Sequence, residues 1–243
     1  MGKLILNKFL SSHLAILGTL LCIGLAHGQT EQQLKTDLQK KLGANAKVRS
    51  VAPAPVGGLY EVLVGNDVFY TDSTGKYLIQ GEIIELSTGK NITEQRQADL
   101  NRIKWTDLAQ ANAMKTVRGN GSRQLAVFSD PNCGYCKRLE KSLQQLDNVT
   151  IYTYLIPILG PDSLQKSKQI WCAADPYKAY MDWMINGTVP NGKSDCATPL
   201  DKNMAYAKSY GITGTPTLFF TDGSRFPGAV QITDIEKKFS SLK

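Results

Sequence analysis

The chain has 243 residues with 28 Lys or Arg against 21 Asp or Glu, a net charge of +7, and it holds two histidines and five cysteines. The positive charge is spread along the chain with no Lys/Arg block, which reads as a solvated surface and gives no support to nucleic-acid binding. Both histidines, His13 and His27, lie near the start, so everything beyond residue 28 is closed to histidine-dependent catalysis and to mixed cysteine–histidine zinc sites.

Residues 1–28 read as a secretory signal. Lys3 and Lys8 form a positive start, Leu14 to Leu25 is an apolar run, and Ala26-His27-Gly28 is a variant of the small-residue cleavage pattern. Twelve apolar residues are too few to span a bilayer, and no other stretch approaches that length. The segment before Cys22, Thr19-Leu20-Leu21, lacks the small residue of a lipoprotein site, so Cys22 is read as discarded. Removing residues 1–28 takes away Lys3 and Lys8 and no acid, leaving 26 basic and 21 acidic residues, net +5. The expected product is soluble and exported, and its four remaining cysteines suit two disulfides in an oxidising space. About 215 residues exceed one average domain, so two unequal domains are expected.

Gln29 to Leu42 carries Leu34, Leu38 and Leu42 at four-residue spacing and stops at Gly43, which predicts a short amphipathic helix. Five short runs follow: Lys47–Val51, Leu59–Val64, Val68–Thr71, Tyr77–Gln80 and Ile83–Leu86. The Pro-, Gly- and Asp-rich segments between them predict an antiparallel meander, which with the helix makes up a small N-terminal domain over residues 29–90. A module of about sixty residues buries little by itself and needs a partner surface. Asn91 to Lys104 is polar and helix-favouring, with Asn91 and Glu94 as a capping pair. Its thin apolar set, Ile92, Ala98, Leu100 and Ile103, reads as a linker helix, and an ordinary surface helix fits the same pattern.

From Trp105 to residue 243 the pattern becomes α/β. Leu125–Ser129 is a buried strand, and a helix follows from about Cys133 to Leu146. Val149–Ile156 is a second strand, Ser163 to about Asn186 a helical insertion, and Pro199–Tyr210 another helix. Thr217–Phe220 is a strand, Asp222-Gly223 a turn, and Thr233–Leu242 a closing helix. That order is a thioredoxin fold with a helical insertion.

Cys133-Gly134-Tyr135-Cys136 sits where the first of those strands turns into its helix. Helix N-terminal N–H groups and the helix dipole stabilise a thiolate at Cys133, the attacking form of the group. Cys136, nearly one turn later, can attack a mixed disulfide formed at Cys133, which is the minimum needed for thiol–disulfide exchange. The same spacing is half of a zinc site. An all-cysteine site, however, would have to recruit Cys172 and Cys196, which have twenty-three residues between them and form no second CxxC, so no metal is expected. Gly214-Thr215-Pro216-Thr217, read alone, is an ordinary turn before a strand.

The segment from Leu125 through the two cysteines to Glu140, together with Ile170-Trp171-Cys172-Ala173, Cys196, Gly211 to Thr217 and the Val68–Leu86 hairpins, resembles the DsbC family of bacterial periplasmic disulfide isomerases. The resemblance covers essentially all of the chain after residue 28. It implies a V-shaped homodimer in which residues 29–90 pair, residues 91–104 link, and two thioredoxin-like domains face an apolar cleft. It also implies Cys133 as nucleophile, Cys136 as resolving cysteine, Thr215 and a cis Pro216 beside them, and Cys172 with Cys196 as a structural disulfide. Gly134 and Tyr135 match the isomerase form of the dipeptide at the substrate-facing turn. The buried acid of thioredoxins, six residues before the first cysteine, is Val127 here. Lys137 and Arg138 either add to thiolate stabilisation or are solvated helix charges.

The resemblance implies no cofactor. The expected partners are mis-oxidised exported proteins and a DsbD-like membrane reductant that keeps the dithiol reduced. Two rival activities fit the same features: a holdase whose cleft shields unfolded chains, and a dithiol oxidase, which would not need the N-terminal module.

Overall fold

The computed structural model describes residues 30–242, so the expected signal segment, the expected cleavage near Gly28 and both histidines lie outside the described residues. The first helix, α1, spans Glu31–Leu42. Thr30 caps it through a capping box with Gln33, and Gly43, at φ 79°, ends it. Leu34 and Leu38 on its buried face pack against Val48, Val51 and Val62. Those residues come from a four-stranded antiparallel sheet in sequential order, β1 (Val48–Pro53), β2 (Leu59–Val64), β3 (Asp67–Asp72) and β4 (Leu78–Ile79).

The fifth run expected in the meander does not join this sheet. Ile84–Glu85, β5, pairs with Lys90–Asn91, β6, as a separate two-stranded ribbon closed by a turn with Gly89 at φ 71°. The next helix, α2 (Ile92–Leu100), is capped by the Asn91 side chain, which accepts from the Glu94 N–H. It is tied back to the first module. Thr93 shares a buried 2.6 Å hydrogen bond with Tyr70, and Arg96 pairs with Glu61 at 3.0 Å. The helix ends before Ile103, which leaves its set and joins the core of the second module. There the Ile103 N–H donates to the Gly223 carbonyl at 3.0 Å. Gly223 is at φ 81°, and a Cβ would meet the Ile103 oxygen at 2.0 Å, so only glycine fits this approach.

After two single turns of 3-10 helix, Trp105–Asp107 and Gln110–Asn112, a five-stranded sheet begins. Its strands are β7 (Met114–Arg118), β8 (Arg123–Ser129), β9 (Val149–Leu155), β10 (Thr217–Phe220) and β11 (Arg225–Pro227), in the order β11-β10-β8-β9-β7. β8 and β9 run parallel and the other pairs antiparallel. Period-two alternation sends Leu125, Val127, Val149, Ile151, Leu218 and Phe220 to one face, against Leu139 and Leu143 of α3 (Gly134–Leu143) and Ile235 and Phe239 of α7 (Ile232–Ser240). Ala126, Phe128, Tyr152, Tyr154 and Phe219 face the other way, against Ala207 of α6 (Leu200–Ser209) and Ile103.

The insertion is two helices rather than one. α4 (Pro161–Trp171) ends at Cys172, and α5 (Pro176–Asn186) restarts with Asp175 as N-cap and Pro176 at its first position. Its core of Ile170, Tyr180 and Met184 continues into Cys133, Cys136, Met114 and Leu155. The insertion thus forms the wall behind the CxxC turn.

Candidate active site

Cys133 is the N-cap of α3, with extended backbone, and its sulfur accepts the Cys136 N–H at 3.4 Å. The turn that presents it is fixed by Asp130, a fully buried carboxylate. Asp130 accepts from the Asn132 N–H at 2.8 Å, the Ser163 hydroxyl at 2.8 Å and the Leu159 N–H at 2.9 Å, while its carbonyl takes the Cys133 N–H at 3.0 Å. Trp183 of α5 donates to the Pro131 carbonyl at 2.6 Å. Strand, turn and insertion therefore converge on one position. This is the rigid support that a reactive group needs to hold its geometry.

The Thr215–Pro216 peptide is cis, and the Cys133 thiol donates to the Thr215 carbonyl at 3.2 Å. Cys133 retains 6% of its surface and Cys136 1%, so the first sulfur is the one nearer solvent. Burial raises the Cys136 thiol well above its ordinary value, and negative charge at Cys133 pushes it the same way. The nearby Ser129 hydroxyl opposes the shift. A pair whose first thiol is the less enclosed can attack with the first and resolve with the second.

Gly134 has open space where a Cβ would point, and Tyr135 is 60% exposed, so both border the outer face of the turn. The Arg138 guanidinium lies 4.2 Å from the Tyr135 ring centre, and Lys137 lies 3.7 Å from the Trp183 ring centre. Both cations are thus engaged by aromatic faces. Burial, with Lys166 nearby, lowers the Lys137 ammonium. Cys172 and Cys196 are joined by a disulfide that ties the end of α4 to the loop before α6. Among the described residues, no cluster of three or more His, Cys, Asp or Glu side chains is arranged to hold a metal ion.

The structure places three polar groups beside the dithiol that sequence reasoning missed: Ser129, Tyr180 and Glu140. Glu140 is buried, its carboxylate accepts from Tyr180 at 2.9 Å, and Tyr180 lies 2.7 Å from Ser129. A signal for Glu140 was available. It stands four residues after Cys136, so the helix face that buries one buries the other. Val127, at the position of the thioredoxin acid, packs in the apolar layer between sheet and helices.

The sheet order, the CxxC cap on the helix after β8 and the cis-proline loop beside it define a thioredoxin-like protein. The sequence agrees, with residues 110–243 matching the model of the thioredoxin-like domain and residues 25–94 that of the disulfide bond isomerase protein N-terminal domain. The chain belongs to the DsbC family. It is 42% identical over 181 residues to the probable thiol:disulfide interchange protein DsbC of Bordetella pertussis (strain Tohama I), a match that covers 74% of this chain and 64% of that protein's length. To the thiol:disulfide interchange protein DsbC of Escherichia coli (strain K12) it is 27% identical over 218 residues, covering 88% of this chain and 89% of the other. A crystal structure of a disulfide interchange protein from Neisseria gonorrhoeae superposes with a TM-score of 0.52 at 38% identity, over 55% of this chain and 97% of that one. No helix among the described residues is long and apolar enough to cross a membrane.

Proposed function

We propose that the chain is a periplasmic protein disulfide isomerase and reductase. The observation that carries this reading is the placement of the Cys133 sulfur, capped by the Cys136 N–H at 3.4 Å and set 3.2 Å from the Thr215 carbonyl. The Cys133 thiolate attacks one sulfur of a wrong disulfide, the client's other sulfur leaves as thiolate, and a mixed disulfide remains. A second client thiol then displaces Cys133 to make a new pairing, or Cys136 displaces the client and leaves it reduced. The Thr215 backbone, beside the reacting sulfur, pairs with an extended client segment. Gly134 and Tyr135 border that segment, and the Cys172–Cys196 disulfide is structural.

Residues 1–28 direct export and are cleaved near Gly28. Residues 29–90 form the dimerisation domain, 91–104 the linker, and 105–243 the catalytic domain. A homodimer is supported by the apolar side chains that the first module leaves in solvent: Tyr77, Leu78, Ile79, Ile84 and Leu86, the last 93% exposed. Tyr77, Leu78 and Ile79 lie on or beside β4, the short edge strand of the sheet, and Ile84 and Leu86 on or beside β5 of the small ribbon. Leu159, exposed and next to Asp130 at the base of the active turn, adds apolar surface for unfolded chains. Because isomerisation requires the dithiol to stay reduced in an oxidising space, and each reductive turnover oxidises it, a DsbD-like membrane reductant is required as partner.

The test is recovery of a disulfide-scrambled protein by the reduced chain, beside a variant with Cys133→Ser and Cys136→Ser. Loss of recovery in the variant, with suppression of client aggregation retained, is the expected result. Undiminished recovery without the cysteines would make the protein a holdase.

A further inference from the structure

Cys136 has a task that its surroundings obstruct. To displace a client from Cys133 it must lose its proton, yet it is almost wholly enclosed and its thiol is raised by burial. With 1% of its surface exposed it gives its proton to solvent slowly, and an acceptor inside the protein would speed the step. The apolar Val127 offers none.

An acceptor stands one turn further along α3. Glu140 is 3% exposed, and its carboxylate oxygen takes a hydrogen bond from the Tyr180 hydroxyl at 2.9 Å. Tyr180 and Ser129, both fully buried, have their oxygens 2.7 Å apart, Tyr180 packs in the same buried cluster as Cys136, and the Ser129 hydroxyl acts on the Cys136 thiol to lower it. The direction of the chain follows from donor inventory. An ionised carboxylate only accepts, so Tyr180 donates to Glu140, leaving its own oxygen to accept from Ser129. The Ser129 oxygen is then free to accept the S–H of Cys136. Glu140, Tyr180 and Ser129, from α3, α5 and β8, thus form a buried line of hydrogen bonds that leads to the side of Cys136.

We propose that Glu140, acting through Tyr180 and Ser129, takes the proton of Cys136 when Cys136 resolves a mixed disulfide on Cys133. The inference rests on the thiol-exchange reading above and deepens it. In the step, the Cys136 proton passes to Ser129, the Ser129 proton to Tyr180, and the Tyr180 proton to Glu140. A thiolate and a neutral carboxylic acid result, with no net charge gained or lost. The Cys136 thiolate forms the bond to the Cys133 sulfur, the Cys133–client bond breaks, and the client sulfur departs with its electron pair. Reduction of the Cys133–Cys136 disulfide runs the line backwards and returns the proton.

Glu140 is suited to both directions. Burial raises its carboxyl to about 7, against the Tyr180 hydrogen bond and the Arg118 guanidinium, so both protonation states are accessible near neutral pH. The charged and titratable groups acting on it are Arg118 from β7 and Tyr180 from α5, and Tyr180 in turn is raised by Cys136. Lys137 and Arg138, on the same helix, are turned to the Trp183 and Tyr135 rings. Glu140 and Tyr180 are positioning residues for a proton, since neither touches the client.

The test follows the reduced full-length protein after mixing with saturating oxidised glutathione, with acid quench and mass mapping of the adducts. Appearance of glutathione on Cys133 reports the first attack, and its loss to the Cys133–Cys136 disulfide reports the step assigned to the relay. Wild type should resolve at a rate that rises through about pH 7 and then levels. Glu140→Gln, Tyr180→Phe and Ser129→Ala should each form the adduct at the wild-type rate. Each should then resolve it about 100-fold more slowly at pH 7.5, with a rate that climbs with hydroxide and shows no levelling. The double variant Glu140→Gln/Tyr180→Phe should be no slower than either single one. Resolution at the wild-type rate and pH profile in any folded single variant overturns the relay. Should Glu140→Gln not fold, the two hydroxyl deletions decide for or against the relay by the same criterion. Absence of any adduct on Cys133 in wild type would instead overturn the exchange reading itself.

Discussion

Glu140→Gln should stabilise the protein at pH 8 and leave it nearly unchanged at pH 4. The carboxyl of Glu140 is raised from 4.5 to about 7 in the folded chain, chiefly by burial. Below about pH 4.5 it is protonated in both folded and unfolded states and contributes no difference. Between pH 4.5 and 7 the folded chain holds a proton that the unfolded chain releases, so wild-type stability falls as pH rises. Above about 7 the whole penalty is present, about 3 kcal/mol at 1.36 kcal/mol per pH unit between 4.5 and about 7. Glutamine has the same shape, still accepts from Tyr180 and never ionises. The stability difference between variant and wild type should therefore grow by about 3 kcal/mol from pH 4 to pH 8. Urea unfolding at pH 4, 6 and 8 measures it, with the active-site pair oxidised so that neither thiol titrates. A difference that does not change with pH would refute the reasoning, because it would mean that Arg118 fully compensates an ionised Glu140. Such a cost, kept in the wild-type chain, is what a functional carboxylate entails.

Limited alkylation of the reduced protein should modify Cys133 before Cys136, since Cys136 is the more enclosed sulfur and its thiol is raised by burial; peptide mapping that finds Cys136 labelled first would reverse the two roles. Replacing Cys172 and Cys196 by serine opens a loop of sequence separation 24 and should cost about 3 kcal/mol in denaturant unfolding while leaving exchange with glutathione intact. Deleting residues 29–90 should give a redox-active monomer with poor isomerase activity, because two linked sites hold a client through successive exchanges and a single site releases it early. Sedimentation of both forms checks the assembly, and a monomeric full-length protein would contradict the dimer.

Much of the fold is legible in the sequence because turn chemistry brackets it. β2 and β10 begin and end where the Gly- and Pro-containing segments beside them place the breaks. β7 escapes the pattern because Met-Lys-Thr-Val-Arg is an edge strand with only Met114 buried, which carries little apolar alternation. β11 is three residues long and takes its place only by pairing with β10. Ile83–Leu86 has the apolar content of a meander strand, but the Gly89 turn offers it a nearer partner in Lys90–Asn91. The CxxC turn and the Thr215–Pro216 loop can be named from sequence because their residue types are distinctive. The relay cannot, since Tyr180 reaches Glu140 across forty positions of chain and no local pattern reports such a meeting.

The most direct test of the account is to trap the covalent intermediate it requires. Cys136→Ala, reduced and mixed with a disulfide-scrambled client, should accumulate a mixed disulfide that mass mapping places on Cys133, and Cys133→Ala should accumulate none. An adduct on Cys136 in the second variant, or no adduct in the first, would contradict the assignment of Cys133 as the attacking thiol.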